Sequence, residues 1–131
     1  MAVQKYPANY YLRRPTMSND LQTHVNSIAS GLNEGWTYEQ DEYGDYRDPE
    51  GYTTSPFDYV CDALDVNYTL KSEKECIGGE LLVTFGGPNI WVKPLENKVV
   101  GYWWGDYAEA SITRETADEL NSAIGEIFDC L

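Results

Sequence analysis

Between residues 34 and 65 the chain carries ten carboxylates against a single base, Arg47, for a local charge of −9. Glu39, Asp41, Glu42, Asp45, Asp48 and Glu50 crowd one stretch, with Tyr38, Tyr43, Tyr46 and Tyr52 interleaved; Asp58, Asp62 and Asp65 follow. Carboxylates at this density suit three kinds of chemistry. A pair of them can flank a glycosidic bond, with Trp91, Trp103 and Trp104 stacking on the sugar. A chain with 22 acids places many such pairs by chance, however, and a catalytic acid also needs burial to raise its pKa. A small hydrolase is therefore a minor alternative. Calcium would take oxygens from Asp41, Asp45, Asp48 and Glu50, but Tyr43 and Arg47 occupy the alternate positions where an EF-hand loop needs Asp or Asn.

The third chemistry uses the acids collectively. DNA presents one negative charge per roughly 1.7 Å of axis, and a protein groove that binds it is lined with Lys and Arg. A band of carboxylates can occupy such a groove, and Tyr43 and Tyr46 offer flat surface for arginine. On this reading no residue is catalytic. The partner contacts are Glu39, Asp41, Glu42, Tyr43, Asp45, Tyr46, Asp48, Glu50, Asp58, Asp62 and Asp65, with Trp104 and Asp106. A second reading has an exposed Trp91, Trp103 or Trp104 anchoring a protein partner while the charge only maintains solubility.

Cofactor chemistry finds little footing. Cys61, Cys76 and Cys130 are widely spaced, and there is neither a Cys-x-x-Cys pair nor a second histidine beside His24, so a zinc site is not expected. The three thiols read as reduced, small buried hydrophobes. Gly78-Gly79 and Gly86-Gly87 lack the spacing of nucleotide-binding loops. No cofactor or metal is expected.

Positioning those residues falls to a short list of elements. Leu21, Val25, Ile28, Ala29 and Leu32 recur at helical spacing after Ser18, an acceptable cap. Ser55, Pro56 and Asp58 open a second helix, expected to turn Phe57, Val60, Cys61 and Leu64 inward and Asp58, Asp62 and Asp65 outward. A third starts near Thr113, with Ala117, Leu120, Ile124, Ile127, Phe128 and Leu131 on one stripe and Asp118, Glu119, Glu126 and Asp129 left for solvent. Between the second and third helices, Val66–Leu70, Leu81–Phe85, Ile90–Lys93 and Val99–Trp104 read as four strands. The turns Gly86-Gly87-Pro88-Asn89 and Pro94-Leu95-Glu96-Asn97 are too short for crossover helices, which makes the pairing antiparallel. Residues 37–54 read as an ordered, exposed acidic loop, and Tyr10-Tyr11-Leu12 as a possible edge strand. The expectation is one α+β domain over 1–131: a meander sheet of about four strands with helices packed on one face.

The 131 residues suit one domain, and the net charge of −13 argues against direct binding to nucleic acid or anionic membranes. No apolar run approaches the length of a bilayer span, and the Met-Ala-Val-Gln-Lys-Tyr-Pro start lacks the layout of a signal peptide, so the cytoplasm is expected.

Three segments carry a resemblance: Asp62-Ala-Leu-Asp-Val-Asn-Tyr-Thr-Leu70, Leu82-Val-Thr-Phe-Gly-Gly-Pro-Asn-Ile-Trp-Val92 and Gly101-Tyr-Trp-Trp-Gly-Asp-Tyr-Ala-Glu109. They look like small acidic accessory proteins of bacterial phages and conjugative elements. In charge, size and tyrosine content the chain is also similar to antirestriction and anti-CRISPR proteins that mimic DNA. That resemblance implies an inhibitor acting in the bacterial host cytoplasm on a CRISPR-Cas effector or restriction complex, without chemistry of its own. It also implies that the Gly86–Asn89 turn and the Trp104-Gly105-Asp106 segment shape one end of the sheet.

Overall fold

The computed structural model describes residues 16–36, 39–40, 46–47 and 55–131, the side chains among them from Asp20 to Trp36 and from Ser55 onward. The protein is α+β. Helix α1 (Thr16–Asn33) is followed by a short antiparallel ribbon, β1 (Glu39–Gln40) with β2 (Tyr46–Arg47), and then by α2 (Pro56–Asp62). Strands β3 (Asp65–Ser72), β4 (Glu75–Thr84), β5 (Asn89–Lys93), β6 (Lys98–Trp103) and β7 (Asp106–Ser111) form an antiparallel sheet in chain order, and α3 (Arg114–Asp129) completes the described chain.

The sheet has five strands where four were expected. Strand β7 reads Asp-Tyr-Ala-Glu-Ala-Ser, poor in the β-branched residues that mark strands, so pairing with β6 rather than propensity makes it a strand. Its hairpin turns through Trp104 and Gly105 alone, at φ of 54° and 83°, the two positive values a type I′ connection requires. Strand β4 likewise begins at Glu75, six residues before its apolar run. Gly79 sits within it because a Cβ there would strike the carbonyl oxygen of Asn67 on β3.

Helix α1 starts at Thr16, so Ser18 lies within it and does not cap it, whereas α2 and α3 start where their caps require. The Ser55 hydroxyl accepts from the amide of Asp58, and Thr113 accepts from that of Thr116. Of the side chains expected to turn inward from α2, Val60 is buried; Phe57, Cys61 and Leu64 are exposed. The helix ends at Asp62, so Leu64 and Asp65 fall beyond it, and Leu131 likewise projects past the end of α3. Cys130 is exposed as well, which corrects the buried-hydrophobe reading for two of the three thiols.

One buried cluster joins all three helices to the sheet. Leu21, Val25, Ala29 and Leu32 of α1, Val60 of α2, and Ala117, Leu120, Ala123 and Ile124 of α3 meet Leu81, Ile90, Val92, Val99 and Ala108. Side chains of this size contribute about 1.5–3 kcal/mol each on full burial. Cross-strand register puts Leu81, Val92 and Val99 on the same side of the sheet as Ile90, Gly101 and Ala108, leaving Trp91, Lys93, Lys98, Tyr102, Tyr107 and Glu109 on the other. The Tyr10–Leu12 segment lies outside the described residues.

Candidate functional site

The expected acidic band divides into parts with different fates. Asp41, Glu42, Tyr43, Asp45, Asp48 and Glu50 lie outside the described residues. Glu39 and Tyr46 are placed only by their backbone, in the β1–β2 ribbon, where Glu39 pairs with Arg47 and Gln40 with Tyr46. Asp58 is a capping residue: its Oδ2 accepts from the Ser55 hydroxyl at 2.8 Å while its own amide donates back at 3.1 Å. Asp62 is exposed at the end of α2. Asp65 belongs to β3 and accepts from the amide of Val66 at 2.9 Å, so the three aspartates share no helix face.

A longer acidic stripe lies on α3. Glu115, Asp118, Glu119, Glu126 and Asp129 are exposed along one side of the helix, over fifteen residues and fourteen rises. At 1.5 Å per residue this stripe spans roughly 21 Å, the axial rise of about six phosphates along one DNA strand. Among the described residues its only ion pair is Arg114 with Asp118 at 4.0 Å, with both side chains largely in water. The Trp36 indole donates to Glu119 at 3.2 Å, and its ring meets that of Tyr59 edge-on at 5.7 Å, tying the end of α1 to α2 and α3. Burial pushes the Tyr59 phenol up to about 12. The signal for this stripe was the same helical period that marks the apolar face of α3.

Acids on the sheet and in the turn after β5 are treated differently. Lys93 meets Glu80 at 3.9 Å, and Lys98 meets Glu96 at 3.5 Å and Glu109 at 3.4 Å. The Tyr107 hydroxyl donates to Glu109 at 2.6 Å. That bond, with Lys98 next, holds the Glu109 carboxyl below its ordinary range. These carboxylates have local counter-charges; those along α3 mostly lack them.

The aromatics expected to reach a partner also separate. Trp91 and Trp103 are half-buried, Trp103 against the core cluster, whereas Trp104 is 79% exposed at the hairpin tip. Asp106 is half-buried and pairs with Trp103 as the first residue of β7. The Gly86–Asn89 turn lies beside the hairpin, and a hollow of about 320 Å³ opens between Gly86, Gly87, Asn89, Tyr102, Trp103, Trp104 and Gly105.

His24 is exposed on α1. The Cys61 thiol is pushed up by partial desolvation and by the neighbouring charges of Asp58 and Asp62, which disfavours the reactive thiolate. Among the described residues no three His, Cys, Asp or Glu side chains converge as metal ligands would, and no helix is long and apolar enough to cross a membrane. No protein-family model, curated protein or solved structure matches the chain.

Proposed function

We propose that this protein is a non-catalytic inhibitor of a bacterial defence nuclease that occupies a basic DNA- or RNA-binding groove as an acidic mimic. The observation that carries this reading is the contrast between the two sets of acids. Glu80, Glu96 and Glu109 sit against lysines, while Glu115, Glu119, Glu126 and Asp129 have no basic partner within 4.0 Å among the described residues. A protein that needed acids only for solubility would gain equally from either arrangement. An unneutralised stripe about as long as a run of six phosphates instead projects a directed field that attracts a groove of Lys and Arg. The reading takes the helices as one layer over the sheet, with α3 presenting its stripe outward and the acids of residues 39–50 extending the band.

The test uses purified RNA-guided and restriction nucleases, each assayed for cleavage and for duplex binding with the protein present. The expected inhibition is competitive with nucleic acid and weakens on the order of 10³-fold between 50 and 200 mM salt, as phosphate contacts do. Replacing Glu115, Asp118, Glu126 and Asp129 together by Lys, which leaves the Trp36–Glu119 bond in place, removes it while the circular dichroism spectrum stays native. Inhibition that is indifferent to salt, or that survives this quadruple reversal, refutes the mimic.

A further inference from the structure

The end of the sheet at the β6–β7 hairpin holds a residue that the fold gives no reason to keep. A type I′ connection favours Asn or Gly at the place Trp104 occupies, because a bulky side chain at φ of 54° is sterically strained. A strained aromatic is normally compensated by burial, yet this ring is 79% exposed. Trp104 therefore costs stability in its backbone and leaves apolar surface in water. Beside it three of the residues lining the hollow are glycines, Gly86, Gly87 and Gly105, which put no side chain there. Its aromatic wall is also fixed. The Tyr102 ring rests 5.2 Å from that of Tyr107 at 60°, and Tyr107 is anchored through its hydroxyl to Glu109.

We propose that this hollow is a socket for one arginine side chain of a protein partner, its guanidinium stacked on Trp104 and Tyr102. The inference rests on the basic-partner reading above and names a second, separately located contact. At about 320 Å³ the hollow lies at the small end of ligand sites, a size for a single side chain. The residues lining it include three aromatics and Asn89, and no carboxylate. Such walls favour a planar, weakly hydrated cation over the compact, strongly hydrated ammonium of lysine. The charge of −13 disfavours phosphate-bearing occupants. A neutral sugar shares the stacking chemistry and is an outcome of the test.

The experiment titrates the full chain with hexa-arginine, hexa-lysine and a linear glucose hexasaccharide at 150 mM salt, reading the Trp104 indole N–H resonance by NMR. Hexa-arginine should move that resonance saturably, with an apparent Kd about tenfold below that of hexa-lysine. Followed at the Gly105 backbone amide, which remains when the indole is gone, the response should vanish in Trp104→Asn and weaken at least about tenfold in Gly87→Val, which adds a side chain to the lining of the hollow. Trp104→Asn should also melt no lower than the native protein. The quadruple α3 reversal should leave the Trp104 response in place. Equal affinity for hexa-lysine, a response to the sugar alone, or a loss of stability in Trp104→Asn each overturns the socket. If hexa-arginine perturbs only α3, the socket fails and the acidic mimic stands; if it perturbs neither even at 20 mM salt, both fail.

Discussion

At Gly101 the sheet has no room for a side chain: a Cβ there would lie 2.8 Å from Val25 Cγ2 and 2.9 Å from Leu21 Cδ1, both in residues fully closed to solvent. Interiors packed to this density do not yield freely. Gly101→Ala is expected to cost about 1–3 kcal/mol by overpacking, read as a lower urea midpoint with an unchanged slope. Tyr59 makes a prediction in pH rather than volume. In the unfolded chain its phenol ionises near the ordinary value of 10.0, whereas burial holds it protonated up to about 12 in the fold. The unfolded state thus binds fewer protons in that window, so the stability this group supports is complete below pH 10 and falls as pH rises towards 12. Urea midpoints for the native chain should drop between pH 9 and 11, and the drop should be smaller in Tyr59→Phe.

On the scale of elements, the sheet has a distal strand that α1 closes off. Gln22 donates to the carbonyl of Glu109 at 2.8 Å and Asn33 to that of Ser111 at 3.1 Å, so two carbonyls of β7 are paired with side chains of the helix. Asn33 also accepts from the amide of Thr113 at 2.7 Å, clamping the start of α3 to the end of α1. Edge strands with free carbonyls invite pairing with other chains, and these two amides answer that hazard. Asn33→Ala should cost about 1–3 kcal/mol and speed hydrogen exchange at the Thr113 amide. Gln22→Ala, which loses one exposed bond, should cost less. Equal protection at Thr113 in Asn33→Ala would show that the clamp is dispensable.

For the whole molecule, a net charge of −13 on 131 residues sets the compact state against its own field. Raising NaCl from 0.05 to 0.5 M should raise the melting temperature of the native chain by screening that repulsion, and should raise it less in the quadruple α3 reversal. A melting point insensitive to salt in both proteins would mean that the acids are too far apart to oppose folding.

Much of this architecture could be read along the chain, because helical caps and apolar periods are local. Ser55 with Asp58, Thr113 with Thr116, and the Leu21–Leu32 and Ala117–Ile124 stripes each announce themselves within a few residues. Strand β7 and the start of β4 could not, since Ala, Glu and Gly become strand residues only when a neighbouring strand supplies their hydrogen bonds. The same division holds for the candidate site. Composition alone fixed that the surface is acidic, because charge adds up without regard to fold. Which acids are neutralised, which tryptophan is left in water and which turn walls a hollow depend on residues far apart in sequence. Lys98 reaches Glu109, Trp36 reaches Glu119 and Gly87 lies near Trp104 only after the strands and helices have packed.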